Sequence, residues 1–177
     1  MARLRDRMNF ENGALAAVRD AARDATGAYQ DAARGLDTLK ERVLIEFGMP
    51  KTAEVIHRLA HEQPKRFDTV GDILHQRHIL QIYPETAEYE GRPDDLDGVF
   101  EAIIDLLQRI EDKLRICVRV CDENGLFPLG RQFETLQMEN SESYQKFLYA
   151  WQMSSEHEMS ATSFEGWIEE LFEEDGD

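Results

Sequence analysis

The chain has 177 residues, is 42% hydrophobic and contains five Pro and 11 Gly, enough apolar content to bury a core and too much for wholesale disorder. Its net charge of -16 is unevenly spread: residues 1–80 hold 13 Lys+Arg against 12 Asp+Glu, while residues 81–177 hold 7 against 24. Such acidity repels nucleic-acid phosphate, no apolar run approaches the ~20 residues of a bilayer span, and the basic opening MARLRDRMNFENG lacks a signal peptide's apolar stretch. A cytoplasmic protein that binds neither nucleic acid nor membrane is expected.

The first element is the clearest. Leu15, Val18, Ala22, Ala25, Tyr29, Ala32, Leu36, Leu39 and Val43 step by three and four without a break, a heptad seam suited to lying against another helix. The spacing predicts a helix over about 10–47, capped by Asn9 and ended by Gly48–Pro50; Gly13, Gly27 and Gly35 weaken it without ending it. The next segment repeats helical spacing at Ala53, Ile56, Leu59, Ala60, Phe67, Val70, Ile73 and Leu74. Pro64 removes a backbone donor in its middle, so two shorter helices with a bend near Gln63–Arg66 are expected, Asp68 capping the second.

Tyr83 to Asp97, with Pro84, Gly91, Pro93 and six acids, reads as a loop long enough to cross a bundle end to end. A strong helix follows, its seam running through Leu96, Val99, Ile103, Leu107, Ile110, Leu114, Cys117 and Cys121. The two cysteines sit at i, i+4 rather than in a CxxC pattern and read as small core residues. After a turn at DENGLFPLG, helix resumes near Leu129 with Phe133, Leu136, Tyr144, Phe147, Leu148 and Trp151, and ENSES (Glu139–Ser143) is expected to interrupt it. No segment alternates with period two. The fold class is all-α: a helical bundle over 1–160 with a long N-terminal coiled-coil-like helix and one long crossover loop, then an acidic amphipathic helix and tail over 161–177.

Four of the five histidines lie between residues 57 and 78. Glu54 and His57 form a Glu-x-x-His pair, His61 and Glu62 follow one turn later, and Asp72-x-x-His75-x-x-His78 completes the cluster. Imidazole and carboxylate together suit iron, zinc or manganese. The order of short turn, long crossover, short turn and short fifth helix resembles ferritin-like proteins in architecture. That resemblance implies an iron-handling bundle, with Glu54, His57, His61, Glu62, His75 and His78 as its candidate ligands. Against it, a di-iron bundle draws carboxylates from all four helices, and the seam of the 96–121 helix is apolar throughout, with Glu111 off it. The competing reading places the histidines at the border of a helix interface. No phosphate loop, dinucleotide fingerprint or HExxH motif occurs, so nothing supports an enzyme.

In the closing stretch, Phe164, Trp167, Ile168, Leu171 and Phe172 fall at i, i+3, i+4, i+7 and i+8. They form one apolar face behind an expected Ser163 cap, with Glu165, Glu169, Glu170 and Glu173 on the wet side. Such a face docks either on its own bundle or, as partner-binding anchors, in a groove on another protein. The leading expectation is a non-enzymatic, cofactor-free interaction or assembly protein working through helix–helix association and an acidic surface, as a homo-oligomer or with a basic partner. The alternatives are the iron- or zinc-binding bundle and an acidic mimic of nucleic acid that inhibits a basic protein.

Overall fold

A computed structural model describes the backbone of residues 2–86, 88–156 and 159–173, and their side chains from residue 13 onward except those of Glu156 and Glu173. The side chain of Asn9, expected as a cap, lies outside the described residues, as do the side chain of Glu173 and all of residues 174–177. The described residues form five helices: α1 (Ala2–Ile45), α2 (Pro50–His75), α3 (Leu96–Glu123), α4 (Phe127–Glu156) and α5 (Ala161–Glu173).

Helix α1 buries the whole predicted stripe from Val18 to Val43. It ends where Gly48 takes a positive φ of 66°, a conformation that favours glycine, and Pro50 then opens α2. Helix α1 packs on both α2 and α3, and α3 packs on α4. The pairings set the directions. Asp24 of α1 faces Lys113 of α3 at 3.8 Å and Gly35 faces Leu106, so α1 and α3 are antiparallel. With antiparallel turns joining α1 to α2 and α3 to α4, the bundle runs up, down, down, up.

The crossover from Gln76 to Asp95 climbs along α1 to reconcile these directions. A Cβ on Gly27 would come within 2.8 Å of Pro84, and one on Gly35 within 3.1 Å of Tyr89. These two glycines weaken the helix intrinsically, yet they let the strap lie close against α1. Gln81 anchors it by donating to the Thr26 hydroxyl at 3.2 Å and to the Phe67 carbonyl at 3.0 Å.

Two expected interruptions are absent. Helix α2 continues through Pro64, and α4 continues through Glu139–Ser143. Packing on neighbouring helices offsets the missing donor at Pro64 and the modest propensities of Ser and Asn. The terminal helix also starts earlier than expected. Ser160 supplies the cap, its hydroxyl accepting from the Ser163 amide at 3.2 Å, and Ser163 lies inside α5.

Candidate functional site

Three of the four sides of the bundle are tightly packed. The fourth, between α2 and α4, is not. Its walls are joined by Arg66 donating to the Ser143 hydroxyl at 3.1 Å and by the paired amides of Gln76 and Gln132. Between them lies a groove of about 720 Å³, closed at one end by Phe172 of α5.

The groove arises where two apolar seams turn polar at the same level. On α2 the stripe runs Leu59, Gln63, Arg66, Val70; on α4 it runs Leu136, Asn140, Ser143, Phe147. Apolar side chains would draw these helices together, and polar ones hold them apart. The polar level crosses the bundle. Asn140 is fully buried and donates to the Leu107 carbonyl at 3.0 Å, and Gln137 donates to Glu111 at 2.6 Å. Glu111 lies off the apolar seam of α3, yet its side chain is only 15% exposed. Tyr29 completes the level from α1; burial pushes its phenol well above the ordinary range, partly opposed by the Arg66 guanidinium. Among the described residues, the Tyr29 hydroxyl, Gln63 Oε1 and Asn140 Oδ1 are buried without a protein hydrogen-bond partner.

Above this level the groove mixes apolar and charged groups. Val55, Leu59, Phe147 and Phe172 form its apolar part, and Arg58, Lys65, Arg66 and Lys146 bring cations to it. Glu62, Glu139 and Glu142 supply the opposite sign, and Glu62 is held by Arg66 at 3.1 Å. Arg58 and Lys65 are exposed on α2, one two-turn step apart, and make no ion pair among the described residues.

Helix α5 packs mainly on α2 and more lightly on α4, and reaches the groove through Phe172. Phe164 and Ile168 are buried in the bundle's own core, with the Phe164 ring 5.8 Å from Phe100 and the Phe172 ring 4.9 Å from Phe147. Trp167, Leu171 and Phe172 are half-buried around them. The carboxylates expected on the wet side of α5 include two that bind protein. Glu165 accepts from the backbone amides of Lys51 and Thr52, both at 2.8 Å, and from the Thr52 hydroxyl at 2.5 Å. It thereby caps α2, whose own N-cap residue, Met49, offers no side-chain bond. Glu169 pairs with Lys51.

The six candidate metal ligands do not gather at one point. His57 and His61 touch, their ring centres 4.3 Å apart, on the border of α2 with α1. His75 lies about 21 Å of helix rise beyond His61, and His78 lies past the end of α2 with a φ of 57°. Glu54 is exposed, and Glu62 pairs with Arg66. Among the described residues, no three His, Cys, Asp or Glu side chains come together in a metal-binding group. Also among them, no helix is long and apolar enough to cross a membrane.

No protein-family model matches the chain, and no curated protein matches it.

Proposed function

We propose that this protein is a non-enzymatic interaction module that receives a partner helix in the groove between α2 and α4. One observation carries the reading: the two helices stand as neighbours in the bundle yet leave a groove in which Val55, Leu59, Phe147 and Phe172 lie among four cations and three carboxylates. Amphipathic helices are bound by grooves of this kind, through apolar anchors at helical spacing. The partner presents apolar side chains flanked by carboxylates. Helix α5 is the precedent, an acidic amphipathic helix that pairs Glu169 with Lys51 of α2 and reaches the end of the groove through Phe172, and Arg58 and Lys65 place further cations along α2 at the groove. The acidic remainder of the surface suits a second, basic face on such a partner or assembly.

The test is fluorescence anisotropy of a labelled synthetic peptide spanning residues 161–177, titrated with the intact chain. Saturable binding that weakens about tenfold in the double variant Arg58→Glu, Lys65→Glu is expected, with further weakening as salt rises. Absence of binding, or equal affinity in the double variant, sinks the reading.

A further inference from the structure

The pair His57 and His61 carries an inference separate from the groove. Both belong to α2, four residues apart, so the helix itself brings their side chains onto one face. Their rings meet edge to face with centres 4.3 Å apart. Two imidazoles bound to one ion at ~2.0–2.1 Å per nitrogen place their ring centres roughly 4.5–5 Å apart. A small side-chain rotation therefore converts the observed contact into a chelate.

Nδ1 of His57 is buried and points toward α1, 3.8 Å from Oδ1 of Asp37, while the side chain as a whole is 38% exposed. The exposed part of the ring therefore lies on the side away from Nδ1. Nδ1 makes no hydrogen bond at that distance, but the Asp37 side chain is 55% exposed and a change of its rotamer brings the carboxylate within reach of an Nδ1 proton, which leaves Nε2 as the electron-pair donor, the usual support for a metal-bound histidine. His61 is exposed, so an ion reaches the pair without any opening of the fold.

We propose that His57 and His61 form a two-imidazole chelate for a divalent ion of the imidazole-preferring group, Cu²⁺, Ni²⁺ or Zn²⁺, with Asp37 as the positioning residue behind His57. Water fills the remaining coordination positions, because no third protein ligand converges there among the described residues. Carboxylate-preferring ions such as Mg²⁺ and Ca²⁺ are not taken up, and affinity rises from Zn²⁺ and Ni²⁺ to Cu²⁺.

The experiment is calorimetric titration of the intact, tag-free chain with NiCl₂ and with CuCl₂ near neutral pH, with circular dichroism to verify that each variant is folded. One ion per chain is expected. His57→Ala and His61→Ala each weaken binding at least tenfold, Asp37→Asn weakens it about tenfold, and His75→Ala leaves it unchanged. Failure of the wild-type chain to bind either ion overturns the proposal, as does unchanged affinity in either His57→Ala or His61→Ala. An Asp37→Asn chain that binds like wild type overturns the positioning role. Because the peptide assay on the groove uses neither histidine, the two proposals stand or fall separately.

Discussion

The seam between α1 and α3 and the gap between α2 and α4 are two sides of one bundle built to different rules. On the first, α1 packs on α3, and Ala22, Ala25, Ala32 and Leu36 of α1 share one buried apolar core with Ile103, Leu106, Leu107 and Ile110 of α3. On the second, Gln63, Arg66, Asn140 and Ser143 stand where an apolar stripe would continue. Burial of apolar surface closes the first side, and desolvation of polar groups keeps the second from closing. The closed sides carry most of the packing between helices, and the α2–α4 side carries little of it.

The sharpest way to break this comparison is to damage each side in turn. Leu107→Ala, on the closed side, removes a fully buried side chain and is expected to cost about 2–5 kcal/mol. In thermal unfolding that corresponds to a fall in Tm of roughly 5–20 °C. Glu165→Ala, at the end of the open side, removes the cap of α2 and should cost about 0.5–2 kcal/mol in the same measurement. If the second loss exceeded the first, α5 would be a principal part of the fold rather than a helix seated on it.

The residues explain how much of this was legible beforehand. Strict spacing at Val18–Val43 and Val99–Cys121 made the helices and their buried faces readable, because a single periodicity decides both. The groove was not readable, because it depends on two distant segments turning polar at one level. The signal existed in Gln63 and Arg66 on α2 and in Asn140 and Ser143 on α4, but only the antiparallel pairing of α2 with α4 aligns them. Pro64 misled in the same stretch by suggesting a bend that tertiary packing suppresses. Glu165 looked solvated because α5 alone places it opposite the apolar face; the amides it caps belong to another helix.

Alkaline pH probes the closed side more gently. Burial pushes the Cys121 thiol up to about 11, with the Asp122 carboxylate adding to the shift, and pushes Cys117 up as well. A raised folded-state pKa favours the protonated form in the fold. The stability it contributes is therefore complete below the unfolded thiol value near 9.0 and is lost as pH climbs through about 11. Denaturant unfolding from pH 8 to 11 should show that decline, and Cys121→Ala should make it shallower, the remainder coming from Cys117 and Tyr29, whose values are also raised by burial. A decline of equal slope in the variant would assign the alkaline sensitivity to other groups.

The smallest effect on stability should come from the charges of the open side, and its smallness is informative. Arg58 and Lys65 are exposed and make no ion pair among the described residues, so reversing them in Arg58→Glu, Lys65→Glu breaks no native ion pair. Surface changes of that kind usually lie within about 0.5 kcal/mol each. A Tm within a few degrees of wild type, together with the loss of peptide binding expected above, separates the two jobs of α2: its buried stripe holds the bundle, and its cationic edge meets the partner. A large drop in Tm would mean instead that these cations stabilise the helix pair against the carboxylates of Glu139 and Glu142 across the groove, and that the open side, too, belongs to the fold.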